Sequence, residues 1–100
     1  MKVLLFVRGD VHGVGFRSYA KHLAQQLNLA GLCRNEIDGS VKVFLDGEKV
    51  AVEKFVETVK KVKSSGFFGT HVDKVELHWE NEKGFQPAWR SYNAFEIDFS

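Results

Sequence analysis

Lys2–Leu27 reads KVLLFVRGDVHGVGFRSYAKHLAQQL, and the change of hydrophobic period inside it decides the fold. Lys2–Gly9 is a short apolar run closed by glycine, the pattern of a strand buried on both faces. Asp10–Gly15 (DVHGVG) then reads as loop, with Gly13 and Gly15 two positions apart. From Phe16 the period becomes helical: Phe16, Ala20, Leu23, Ala24 and Leu27 recur with Lys21, Gln25 and Gln26 between them, and Gly31 is the expected stop. Working outward, Leu32–Glu36 and Ser40–Leu45 read as two strands joined at Asp38–Gly39, a hairpin whose turn can exceed two residues. A second helix is expected from about Glu48 to Lys63, with Val52, Phe55, Val56, Val59 and Val62 as its apolar stripe. Val72–Asn81 alternates, placing Val75, Leu77 and Trp79 inward. Phe95, Ile97 and Phe99 alternate with Glu96 and Asp98 as a last strand. The order β-α-β-β-α-β plus one strand predicts an α+β, ferredoxin-like sandwich: a mostly antiparallel sheet with two helices on one face.

Composition bounds what such a layer can do. One hundred residues, 44% hydrophobic and 27% charged, fit one domain over 1–100 with one core. Lys and Arg total 14 against 13 Asp and Glu, which disfavours a dedicated nucleic-acid binder. The longest apolar run is Val3–Val7, too short to span a membrane, and the start of the chain lacks an export signal. Cys33 is the sole cysteine, which excludes an internal disulfide and a multi-cysteine zinc site. The expected setting is the cytoplasm.

The chemistry is concentrated in Gly9–Arg17 (GDVHGVGFR). Glycines there let consecutive backbone N–H groups converge. The segment feeds a helix N-terminus, whose free donors and positive dipole end suit an anion. No Ser, Thr, Asp or Asn directly precedes Phe16 to cap those donors, and Arg17 in the first turn adds a planar bidentate partner for phosphate oxygens. The same residues also fit a tight turn bearing a surface charge. A Walker A sequence is absent for want of Gly-Lys-Ser/Thr, and a dinucleotide fingerprint is absent because Ser18 stands where the third glycine belongs. Asp10 opposes an anion unless it points away.

Gly9–Arg17 together with Gly31–Val41 (GLCRNEIDGSV) resembles the signature pair of the acylphosphatase family, approximately G-x-V-Q-G-V-x-F-R and G-x-x-x-N-x-x-D-G-x-V. The likeness extends over most of the chain. It implies a hydrolase, with no metal and no cofactor, that cleaves the carboxyl–phosphate bond of a small-molecule acyl phosphate to carboxylate and inorganic phosphate. It further implies that Arg17 and the amides of His12, Gly13, Val14, Gly15 and Phe16 bind the phosphoryl group, while Asn35 orients the attacking water. The implied partners are the small-molecule substrate alone, without nucleic acid or membrane. The implied state is a monomer, with weak self-association left open by the loop aromatics.

That chemistry suits the residues available. A carboxylate leaving group needs no proton, so no general acid is required, and phosphoryl transfer asks mainly for positioning and charge stabilisation. Asn35 is neutral and cannot act as a base, but it can accept a hydrogen bond from water. Cys33 reads as a buried strand residue, and His22, His71 and His78 lack metal-ligand spacing. His12 replaces the more usual Gln and reads as loop support, with a donor role as the alternative. Arg8 and Arg34 are expected to extend to solvent.

Leu32 replaces a usual aromatic, Ser64–Thr70 lacks the usual Gly-Pro segment, and Glu36 places a carboxylate beside Asn35. Strand alternation predicts that Glu36 aims away. Phe67, Phe68, Phe85 and Trp89 are expected to fold back onto the open end of the sheet, the alternative being an exposed patch. Two other function classes remain open on sequence: a non-catalytic small-anion or RNA-binding domain, and a carbamoyl-phosphate-handling module like that of hydrogenase-maturation enzymes. Phe44 alone does not make an RNA-binding platform beside Glu36 and Asp46.

Overall fold

The computed structural model describes residues 1–11, 14–62, 70–86 and 92–98, the Val14 side chain excepted. The chain runs β1 (Lys2–Asp10), α1 (Val14–Gln26), β2 (Ala30–Asn35), β3 (Val41–Asp46), α2 (Lys49–Lys60), β4 (His71–Trp79) and β5 (Phe95–Asp98). One five-stranded sheet forms in the order β4-β1-β3-β2-β5. Its pairs are antiparallel except β2–β5, which is parallel, so the α+β ferredoxin-like expectation holds.

Alternation along β1 explains the layering. Val3, Leu5 and Val7 point to one face and join Val41, Val43 and Leu45 of β3 in the core. Phe16, Ala20 and Ala24 of α1 and Val52, Phe55, Val56 and Val59 of α2 close over that face. Each large side chain so buried contributes about 1.5–3 kcal/mol of transfer free energy. The opposite face is covered in part. Leu4 and Phe44 are buried, and Phe85 and Tyr92 pack their rings against Phe44 at 6.3 and 6.2 Å. The fold-back expected of Phe85 is therefore observed; Phe67, Phe68 and Trp89 lie outside the described residues, as does Phe99 of the last expected strand.

The strands shift by one or two residues from the sequence expectation, β2 starting at Ala30 and β4 ending at Trp79, and three helix boundaries differ more. α1 begins at Val14, inside the stretch read as loop, so the first helical turn holds Val14, Gly15, Phe16 and Arg17. It ends at Gln26 rather than at Gly31: Asn28 takes φ 56°, and the Leu29 amide donates to the Ala24 carbonyl at 2.9 Å. Asn tolerates the left-handed region because its side chain bonds locally, and it closes the helix as glycine would. Gly31 instead sits within β2 at φ +145°, where a Cβ would overlap the Phe44 carbonyl oxygen on β3. α2 is shorter than expected, ending at Lys60 with Lys61 as its cap.

Candidate active site

The site lies where β1, α1 and β2 meet at one end of the sheet. β1 delivers the chain to the α1 N-terminus through Gly9, whose φ of +138° and close approach to the His71 carbonyl leave no room for a side chain. Gly15 has a different role from the one read in sequence. Its φ is not positive, and an added Cβ would meet nothing within 4 Å, so the open space above the first turn is what its lack of a side chain preserves. No acidic residue occupies that turn, leaving the helix dipole unopposed there. Asp10 is exposed.

Arg17 is buried to 9% exposure, and its Nη1 donates to the Asp98 carbonyl of β5 at 3.4 Å. The Cys33 thiol contacts the Arg17 carbonyl at 3.9 Å, which fixes the first turn of α1 against β2. Asn35 lies two residues beyond Cys33 on the same strand, hence on the same face and nearer the hairpin end. Its Oδ1 is buried and has no hydrogen-bond partner among the described residues. A buried acceptor left in this state costs about 1–3 kcal/mol, so a fold retains one only for a reason such as a ligand or water. Arg17 and Asn35 are thus brought to one face and one end of the sheet. His12 and Gly13 lie outside the described residues, as does the side chain of Val14.

Around Asn35 the surface opens into a depression of about 480 Å³ lined by Arg34, Asn35, Glu36, Ile37 and Asp38. Its carboxylates are matched locally. Arg34 Nε donates to Glu36 Oε2 at 3.0 Å and Nη1 approaches Asp98 Oδ2 at 3.9 Å. Arg8 Nη1 donates to Asp38 Oδ2 at 3.0 Å. The expectation that Arg8 and Arg34 reach into solvent is therefore corrected: each is tied to carboxylates across a turn or a neighbouring strand. The sequence signal was present in Asp38-Gly39-Ser40, since an aspartate two residues before Ser marks an Asx turn. Asp38 Oδ1 accepts from the Ser40 amide at 2.9 Å and from the Ser40 hydroxyl at 2.6 Å. Those bonds, with Arg8 third, hold the Asp38 carboxyl well below the usual aspartate range. β2 ends at Asn35, so strand alternation does not extend to Glu36, which is paired to Arg34 and lines the depression together with Asn35.

Cys33 is fully buried, and desolvation pushes its thiol up to about 12, outweighing the favourable charges of Arg17 and Lys21. It is not a nucleophile at neutral pH. His71 and His78 each approach a carboxylate on β4, Asp73 at 2.6 Å and Glu76 at 2.8 Å. No group of three or more His, Cys, Asp or Glu suited to a metal occurs among the described residues.

The acylphosphatase family model matches residues 3–97. An acylphosphatase of Lactobacillus gasseri is 41% identical over 76 residues, covering 76% of this chain and 80% of that protein. One from Thermobifida fusca is 33% identical over 96 residues, covering 96% and 94%. The crystal structure of acylphosphatase from Bacillus subtilis matches with a TM-score of 0.75 at 28% identity over 97% of each chain. The crystal structure of T. kodakarensis HypF matches at 0.76 and 25% identity, over 98% of this chain and 12% of that one.

Proposed function

The chain belongs to the acylphosphatase family, and from that premise we propose how its residues hydrolyse an acyl phosphate. The phosphoryl group of the substrate is held by the N–H groups of residues 12–16 and by the Arg17 guanidinium. Asn35 Oδ1 accepts a hydrogen bond from one water and aims it at phosphorus, in line with the departing carboxylate oxygen. The P–O bond to the carboxylate breaks as the new one forms, and the water's proton passes to a phosphate oxygen. Donors already in place around the equatorial oxygens stabilise the charge of the transition state without reorganisation.

The observation that carries this reading is the buried Asn35 Oδ1, without a partner among the described residues, on the face and end of the sheet where the first turn of α1 sits. An acceptor oxygen in that place can bind the O–H of water and cannot bind a phosphate oxygen. Both groups come from one chain, which supports a monomer as the working unit, and no described helix is long and apolar enough to cross a membrane. We place the activity in the cytoplasm.

The test is hydrolysis of an aryl acyl phosphate by the wild-type protein and by Arg17→Ala, each with and without EDTA. Wild-type turnover should be unaffected by the chelator. Arg17→Ala should lose about 10²-fold or more in kcat/KM, the scale of removing one oxyanion-type donor, with inhibition by phosphate weakened in parallel. Full activity in Arg17→Ala, or abolition of wild-type turnover by EDTA, would refute the assignment.

A further inference from the structure

β1 carries the phosphate-binding segment and β2 carries Asn35, yet the two strands are not neighbours: β3 lies between them. Val7, Val41 and Asn35 form one cross-strand row, paired Val7↔Val41 and Asn35↔Val41. Two strand spacings separate the ends of that row, about 9–10 Å. Beyond the row β3 has ended in the turn, and β1 continues to Asp10 paired only with β4. Asn35 is therefore the last rung of its ladder, and its position relative to the α1 N-terminus depends on what holds residues 36–40.

Within the turn, the Glu36 amide donates to the Ser40 carbonyl at 2.9 Å, and Asp38 Oδ1 takes both Ser40 donors. The other oxygen of the same carboxylate, Oδ2, accepts from Arg8 Nη1 at 3.0 Å across a separation of 30 residues. Arg8 stands immediately before the β1 irregularity at Arg8/Gly9 that opens the way to the α1 N-terminus. Its second nitrogen, Nη2, lies 3.9 Å from Glu76 Oε1 on β4. One planar guanidinium thus spans from β4 over β1 to the turn, a geometry a point-charge lysine cannot reproduce in full.

We propose that Arg8 and Asp38 are positioning residues for the hydrolysis, a strut that bridges the gap above β3 and sets the distance between the phosphate-binding segment and Asn35. The inference rests on the assignment of Asn35 to the water. Neither residue touches substrate in this account. Side-chain exposures of 41% and 55% make the pair a weak contributor to stability, so its loss should be read in geometry and not in folding. β1 is held by its pairing with β3 and β4 whether or not the strut exists, whereas the turn beyond the last rung at Asn35 has its own Ser40 bonds but is tied to β1 through Arg8 and Asp38. Breaking the strut therefore displaces Asn35 and leaves phosphate binding in place.

The experiment measures kcat, KM, inhibition by inorganic phosphate and melting temperature for the wild type, Arg8→Met, Arg8→Lys, Asp38→Asn and the Arg8→Met/Asp38→Asn double variant. Asp38→Asn retains Oδ1 for Ser40 and removes the charge that Arg8 engages. Since a misplacement of about 1 Å can cost on the order of 10²-fold, a partial relaxation should lower kcat about tenfold in Arg8→Met. Phosphate inhibition should stay within about twofold, Arg8→Lys should recover part of the loss, and the double variant should be no slower than the worse single one. Unchanged kcat in Arg8→Met beside an active wild type overturns the strut alone. So do additive losses in the double variant, or kcat and phosphate affinity falling together. An inactive wild type instead overturns the hydrolase reading on which the strut depends.

Discussion

Replacing Asn35 by Ala should cost activity far more than stability. Oδ1 of Asn35 is buried without a partner among the described residues, so removing it leaves none of their donors unpaired. What stands against alanine is its lower strand preference and a few lost contacts, together about 0.5–1 kcal/mol at a strand end. In a domain of this length that lowers Tm by no more than about 8 °C. Catalysis loses the group that aims the water. The bound phosphoryl group is then attacked by unoriented solvent, and kcat should fall by about 10²-fold or more, as when one preorganised group is removed elsewhere. Inhibition by phosphate should change little, because Arg17 and the α1 N-terminus remain. Differential scanning calorimetry without substrate gives Tm, and initial rates on an aryl acyl phosphate give kcat and KM. A kcat within about threefold of wild type, or a loss of activity explained by a Tm lowered by more than about 10 °C, sinks the account of Asn35.

Gly31→Ala should cost about 3 kcal/mol or prevent folding, because φ +145° is a glycine region and the new Cβ would overlap the Phe44 carbonyl; denaturant unfolding reads the loss. Cys33, pushed up to about 12 by burial, should resist iodoacetamide at pH 8 in the native protein and react within minutes in denaturant, followed by mass spectrometry. Asp38, depressed by Ser40 first and Arg8 after it, contributes stability that is complete above the ordinary aspartate range and is lost as pH falls through its folded value. Its carboxyl titration by NMR should therefore rise more in Ser40→Ala than in Arg8→Met, and the reverse order would reject that ranking.

The elements that sequence reading found were those with a strong local period. Val3, Leu5 and Val7 alternate, Phe16, Ala20 and Ala24 recur at helical spacing, and both patterns map directly onto the core. Arg17 was legible from its place in a glycine-bearing junction that feeds a helix N-terminus, whereas Asn35 was legible only through the resemblance of the two motifs to the acylphosphatase signature. What stayed hidden depends on partners distant along the chain. Gly31 reads as a helix stop because nothing local reveals that the Phe44 carbonyl presses on it from β3. Asn28 takes the stop instead, by a left-handed residue that composition does not flag. Arg8 reads as solvated because Asp38 and Glu76 become its neighbours only when β1, β4 and the turn are assembled, as Asp98 of β5 becomes Arg34's; the Glu36 partner of Arg34, two residues on, was within local reach. Phe85 covers Phe44 for the same reason, since a loop residue acquires its address from the sheet beneath it.

The local charges sharpen why so balanced a chain can hold a phosphate. Arg8, Arg17 and Arg34 stand near Glu36, Asp38 and Asp98, so net charge at this end of the sheet does not by itself favour an anion. Position does. Arg8 and Asp38 are half-exposed, where water and salt screen them over about 8–10 Å, and Glu36 is spent on Arg34 at 3.0 Å. Arg17 is nine-tenths buried beside a helix N-terminus with no acid in its first turn, where the effective dielectric is low and its field is least screened. The pairing of Arg34 with Glu36 thus acts on substrate binding by subtraction: it cancels a carboxylate that would otherwise oppose the phosphoryl group. Glu36→Gln should accordingly alter phosphate affinity little, whereas Arg34→Gln, which removes the cation that Glu36 engages at 3.0 Å, should weaken it severalfold at low salt and less at high salt.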